Sequence, residues 1–248
     1  NNEIEVWILM GLFHSPKIVT DGLVLLLDAG NPKSYSGSGS DWLDQSGNKF
    51  HMSLKNSPTF TNDAGLKYFS LDGSNDFGKC DGTISGSVEA SVTNLGIGGA
   101  VPRSIVCVAK LKNGVGANAG GLFDVGDTGV TGRHMCLRRN GDTTANPSSF
   151  RNNFWGPPDH DFSYSAFDWT MYTSSYGSDK KTKTFGNSGV LLGQENTAYD
   201  LVTAGSRSFE MGRYNGNTYV GAEIAYFMIY TKQLSDSEMK QNFDAIRG

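Results

Sequence analysis

The sequence predicts an all-β fold: a jelly-roll β-sandwich of two antiparallel sheets, closed by one short C-terminal helix. Three observations predict it. Apolar runs of strand length recur along the whole of the 248 residues. Glycine is abundant (32) and clusters between those runs, while proline is scarce (7), which is how a turn-rich β protein is punctuated. Only one segment has helical spacing, and many short strands with almost no helix imply a sandwich or barrel. The strand-like runs are residues 23–28, 66–71, 104–111, 122–125, 133–139, 169–176, 182–185, 208–212 and 222–230. Turn clusters separate them, among them Asp72-Gly73-Ser74-Asn75-Asp76, Asn140-Gly141-Asp142 and Asn215-Gly216-Asn217. Asn-Gly between apolar runs is a hairpin signal because both residues tolerate positive φ, so 133–139 reads as half of a hairpin.

The helix is predicted from Leu234-Ser235-Asp236-Ser237-Glu238-Met239. Ser235 and Glu238 have the spacing of a capping box, and Leu234 and Met239 that of a hydrophobic staple. Met239, Phe243 and Ile246 share one apolar face, so the helix must dock on a sheet, with Gly248 as its stop.

Composition is ordinary for a globular chain, 38% hydrophobic and 19% charged, enough apolar material for a core. No long linker interrupts it, so residues 15–248 read as one domain and residues 1–14 as an N-terminal extension. The stretch from Met10 reads like a natural protein start. The competing reading of the N-terminus is an edge strand with Ile4, Val6 and Ile8 on one face. The apolar run there is too short to span a membrane and lacks the positive region of a signal peptide, so no membrane insertion is expected. Net charge is −4 and no basic stripe exists, so no nucleic-acid partner is expected. Lys180-Lys181-Thr182-Lys183 reads as a solvated strand edge. Three cysteines argue against a disulfide framework, although a Cys107–Cys136 bridge stays open.

Four landmarks in order resemble laminin-G-like domains of the concanavalin A-like superfamily. They are Asp21-Gly22-Leu23-Val24-Leu25-Leu26-Leu27-Asp28-Ala29-Gly30-Asn31, Asp44-Gln45-Ser46-Gly47-Asn48, Leu71-Asp72-Gly73-Ser74-Asn75-Asp76-Phe77, and the closing Gly221–Tyr230 run with Leu234-Ser235-Asp236-Ser237-Glu238. The opening segment looks like that of marine phage and virus proteins. The resemblance implies a first strand beside the last, and a lectin-like, non-catalytic role on a virion or extracellular surface. The implied partner is a glycan or cell-surface polysaccharide. Two rival roles are an assembly module among other virion proteins and a divergent polysaccharide hydrolase or lyase.

Residue chemistry narrows these choices. Laminarinase-like hydrolases need Glu-x-Asp-x-x-Glu on one strand to aim carboxylates at one face, and no Glu-x-Asp occurs. Asp159-His160-Asp161 places two carboxylates at i and i+2, in what reads as a loop. His14, His51, His134 and His160 have no common ligand spacing for zinc. Calcium is the one cofactor considered: Asp72, Ser74 and Asp76 alternate in a compact turn, and Asp28 and Asn31 end the first strand, all hard-oxygen groups. The alternative is that these side chains cap their own turns. Sugar rings stack on aromatic faces, and Trp155, Tyr164, Tyr172, Trp169 and Tyr214 are candidates, with Trp42 and Trp169 better suited to the core. The expected glycan site joins Arg133, Arg138, Asn152, Trp155, Asp159 and Tyr164 to the hairpin tip at Tyr214 and Asn215, since guanidinium, amide and carboxylate groups pair with hydroxyls.

Overall fold

A computed structural model describes residues 17–116, 119–140, 149–156, 159–163, 168–196 and 200–247, and in them the apolar runs become strands. In chain order the first half holds β1 (Leu23–Asp28), β2 (Asp41–Trp42), β3 (Met52–Lys55), β4 (Thr59–Asp63), β5 (Leu66–Ser70), β6 (Phe77–Lys79), β7 (Arg103–Gly116) and β8 (Gly121–Gly126). There follow β9 (His134–Arg139), β10 (Ser149–Asn153), β11 (His160–Ser163), β12 (Thr170–Tyr176), β13 (Lys181–Gly186), β14 (Val190–Asn196), β15 (Glu210–Met211), β16 (Arg213–Tyr214) and β17 (Thr218–Tyr230), then helix α1 (Asp236–Arg247).

The strands form two antiparallel sheets. One runs β14-β13-β12-β7-β17-β5-β4, with β1 and β16 also paired to β17. The other runs β11-β10-β9-β8-β15-β6-β3-β2. As the resemblance implies, the first strand lies against the last, with Leu25 opposite Ile229 and Leu27 opposite Phe227.

Side-chain alternation sorts each strand between the core and the outside. Ile105, Cys107 and Ala109 of β7 point into the space between the sheets, where Phe123, Leu137 and Phe150 of the second sheet meet them. Val106 and Val108 point out. Strand β17 does not alternate strictly. Its register against β7 shifts between Ile224 and Tyr226. That bulge keeps Ile224, Phe227 and Ile229 in phase with the interior and leaves Tyr226, Met228 and Tyr230 on the outer face. Trp42 is core, as expected: it is fully buried and its ring centroid lies 4.7 Å from that of Phe69. Tyr172 is core too, packed 5.3 Å from Phe150. Trp169 packs instead on Tyr68 at the outer face of the first sheet.

Helix α1 covers that outer face through Met239, with Leu234 just before the helix packed there too and Phe243 and Ile246 half-buried beside them. The capping box is formed. The Glu238 N–H donates to Ser235 Oγ at 3.3 Å, and the Ser235 N–H to Glu238 Oε2 at 3.0 Å. Asn242 is buried under the helix. Its Oδ1 accepts from the Val19 N–H at 2.8 Å and its Nδ2 donates to the Tyr230 hydroxyl at 3.1 Å.

Several expectations need correction. Lys180–Lys183 is not at the sheet edge, because β14 pairs outside β13; Lys180 and Lys183 are ion-paired to Asp200 and Asp179. Residues 160–161 are not loop. They open β11, with His160 and Phe162 turned inward and Asp161 outward. Residues 151–153 are likewise strand, in β10. The three cysteines are free and buried: Cys107 faces the interior while Cys136 lies under a cover on the far side of the second sheet. Burial pushes all three thiols well above their ordinary range. Residues 1–14, Gly141, Asp142, Tyr164 and Gly248 lie outside the described residues. Among those described, no helix is long and apolar enough to cross a membrane.

Two variants test the docking of α1 by chemical denaturation. Ser235→Ala is expected to cost about 1 kcal/mol through the lost cap. Asn242→Ala leaves the Val19 N–H and the Tyr230 hydroxyl buried without this partner and is expected to cost roughly 2 kcal/mol. An Asn242→Ala protein as stable as wild type would mean the helix is not seated as described.

Candidate functional site

The outer face of the second sheet is dry at one point. On β9, Met135 and Leu137 face the core, so His134, Cys136 and Arg138 face outward by alternation. On β10, Phe150 faces the core and Asn153 the outside. Asp124 of β8 stands opposite Cys136. Outward polar groups are ordinarily wet, yet Asp124 and His134 are 0% exposed and Asn153 4%. Trp155, Arg207, Tyr214 and Asn215 lie over them.

A hydrogen-bond network holds this cover in place. His134 Nε2 is 2.5 Å from Asp124 Oδ1, and His134 Nδ1 is 3.0 Å from Asn153 Oδ1. Both ring nitrogens therefore face oxygen, and the imidazole cannot turn without breaking one contact. Asp124 Oδ2 accepts from the Asn215 N–H at 2.6 Å and from Arg207 at 3.4 Å. Asn215 Oδ1 in turn accepts from the Thr128 hydroxyl. Asn153 Nδ2 donates to Asp159 Oδ2 at 2.8 Å, and the Phe154 N–H to Asp159 Oδ1 at 2.6 Å.

Above the network sit two aromatic side chains. Trp155 and Tyr214 have their rings 24° from parallel with centroids 6.4 Å apart, and both rest on His134, at 6.2 and 5.7 Å. Arg138 lies over the Tyr214 ring, its guanidinium carbon 5.0 Å from the centroid. Trp155 has φ of 64°, a conformation rare for a bulky side chain; the Asn153 Oδ1 accepts its N–H at 3.3 Å. With Thr131, Asn153, Gly156 and Asp159 these rings line an open recess of about 350 Å³. Burial pushes the Tyr214 hydroxyl up to about 12. Burial also raises the Asp159 carboxyl above its usual range, against the hydrogen bond from Phe154.

Of the expected glycan-site residues, the structure brings Trp155, Asp159 and Tyr214 together around the recess, with Arg138 and Asn215 directly against them. Asn152 does not join them. Alternation turns it into the core, where it is fully buried and its Oδ1 accepts from Ser174. Arg133 is exposed, at the turn before β9, and does not line the recess. Tyr164 is outside the described residues. Sequence reasoning missed Asp124, His134 as a support, Asn153, Thr131 and Arg207. A signal existed for Asp124, a lone carboxylate within the apolar run Leu122-Phe123-Asp124-Val125, since carboxylates are almost never fully buried unless paired.

Of the five residues offered for calcium, Asp28, Asn31, Asp72 and Asp76 cap turns with their side chains. Asp28 Oδ1 accepts from the Gly30 and Asn31 N–H groups, and Asn31 Oδ1 from Lys33. Asp72 Oδ1 accepts from Ser74, Asn75 and Asp76, while Asp76 Oδ2 accepts from the Asp72 N–H. Among the described residues no three His, Cys, Asp or Glu side chains converge as a metal would require.

The chain is similar in fold to Trypanosoma rangeli sialidase in complex with the inhibitor DANA, with a TM-score of 0.62 and 14% identity over 91% of this chain. It is similar also to the receptor-binding domain of botulinum neurotoxin C/D mosaic serotype, at 0.64 and 14% over 91%. It spans 33% of the sialidase and 52% of the toxin domain. At this identity the likeness establishes the sandwich fold alone. No family model and no curated protein matches the chain.

Two stability measurements follow from this geometry. Asp124→Ala leaves His134, Arg207 and the Asn215 N–H without their buried acceptor and is expected to cost about 3 kcal/mol or more; a loss below 1 kcal/mol would mean the cover does not depend on it. Asp72→Ala is expected to cost about 1 kcal/mol through the lost turn hydrogen bonds, and so to lower the melting temperature equally in calcium and in EDTA. A destabilisation seen only in calcium would revive the metal reading.

Proposed function

We propose that this protein binds a glycan, without catalysis, through the recess between Trp155 and Tyr214. The carrying observation is Trp155 itself. A tryptophan held at positive φ costs of order 1–3 kcal/mol, a strain that persists where surrounding structure over-determines it and that clusters at ligand sites. Here the strain serves to present an indole at the surface, beside a second ring, on a buried polar support. Sugars are recognised by flat aromatic faces flanked by amide and carboxylate acceptors, and Asn153, Asp159 and Thr131 stand at that flank. A sialidase that binds sialic acid and a toxin domain that binds a receptor are similar in fold, which supports recognition as the use of this one.

Binding is favoured over chemistry for two reasons. Arg207 and Asn215 of the cover are committed internally, and glycoside hydrolysis ordinarily needs a second carboxylate across the scissile bond, or a tyrosine nucleophile. Asp159 is the one carboxylate among the residues lining the recess. A nucleophilic tyrosine would need a lowered pKa, whereas burial moves Tyr214 the other way. The proposed setting is a virion or extracellular surface, and many copies there would raise a weak single-site affinity.

The test is titration of the labelled protein with a broad oligosaccharide set by NMR. A site this shallow is expected to bind at roughly millimolar to micromolar Kd, shifting the Trp155 indole resonance. Trp155→Ala is expected to lose binding at least tenfold with its fold intact. Equal binding by wild type and Trp155→Ala would place the site elsewhere, and no shift with any glycan would favour an assembly role.

A further inference from the structure

The charges around the recess bear on which glycan would fit it, and the inference from them rests on the glycan reading above. Arg138, Arg151, Arg207 and His134 beside the recess are already engaged. Arg151 is paired to Asp161 through two contacts of 2.6 and 2.9 Å. Arg138 donates to the Arg139 carbonyl and lies over Tyr214. Arg207 reaches Asp124 and Asn215, and both His134 nitrogens are occupied below the floor. None of these side chains lines the recess. Its lining offers instead one carboxylate, Asp159, and two aromatic rings. Asp159 accepts from the Asn153 amide and from the Phe154 and Gly156 N–H groups, three donors against the roughly four lone pairs of a carboxylate, which leaves one for a ligand. Aromatic faces attract cations through their quadrupole, and the third ring, His134, is spoken for by Asp124.

We infer that the recess selects a sugar ring carrying a free, protonated amine over its N-acetylated, neutral and carboxylate-bearing counterparts. The ammonium donates to Asp159 while the ring face lies on Trp155. A carboxylate sugar meets no cationic side chain among the lining residues, only neutral donors such as the Thr131 hydroxyl, and is repelled by Asp159. Charge-assisted donation with a cation over an aromatic face separates the amine from its neutral analogue by about tenfold or more in Kd.

The experiment compares four tetrasaccharides on the full chain by NMR titration: β-1,4-linked glucosamine, its N-acetylated form, cellotetraose and an oligogalacturonate. It is run at pH 6, at low and moderate salt. The expected result is tightest binding of the glucosamine oligomer, with shifts at Trp155, Tyr214 and Asp159, weakened by salt. Asp159→Asn is expected to abolish that preference while retaining the weaker neutral binding, and Trp155→Ala to lose all four. Equal or tighter binding of the neutral, acetylated or acidic oligomer overturns the inference and leaves the glycan reading standing. So does binding of the glucosamine oligomer with shifts spread over other acidic surface. The ranking is read on wild type, so it holds whether or not Asp159→Asn folds. If none of the four binds, this inference falls, and the titration with the broad oligosaccharide set decides the glycan reading separately.

Discussion

One extra residue in β17 carries the architecture. A thirteen-residue strand that pairs with β7, β5, β1 and β16 must stay in phase with both sheet faces along its length. A single slip in a strand sends every later side chain to the opposite face. The shift near Ala225 absorbs that constraint locally. It lets Ile224 and Phe227 both enter the core, and it turns Met228 and Tyr230 to the side where α1 waits. Without it, either the interior would lose Phe227 and Ile229 or the helix would lose its platform.

The same alternation, applied to the second sheet, creates the candidate site. Outward positions on β8, β9 and β10 carry Asp124, His134 and Asn153, and burying such groups is tolerable only if each finds partners. Those partners are the Asn215 N–H, Arg207 and Asp159, which belong to three separate connections. The polar cluster therefore fixes loops that would otherwise wander, and Trp155 and Tyr214 take their places as a result. Surface rings are ordered from beneath, by charges that no solvent reaches.

Much of this was legible in the chain and some was not. Residues 23–28 show their strand outright because leucines fill both faces, and the Ser235–Glu238 pair shows its cap because that chemistry is local. Trp155, Asp159 and Tyr214 were visible as residue types. Their grouping was not, since Tyr214 and Trp155 meet only through pairing across β8 and β9. Asn152 and Asn153 are chemically identical, and one is core while the other supports the recess. Only the register of β10 decides which, and register is a property of the whole sheet. β11 and β14 escaped notice because their sequences, His-Asp-Phe-Ser and Val-Leu-Leu-Gly-Gln-Glu-Asn, lack a clean two-residue alternation of apolar side chains bounded by turn signals.

Helix α1 gives the molecule a back and a front. Gln241 on the helix donates to the Lys17 carbonyl, so the earliest and latest described segments lie together, on the outer face of the first sheet. The recess opens on the outer face of the second. The segments at Lys17 and on α1 thus sit behind the sandwich, with two sheets of thickness between them and the rings. Orientation comes built in: the helix face and the recess look in opposite directions, so whatever rests against the one leaves the other open.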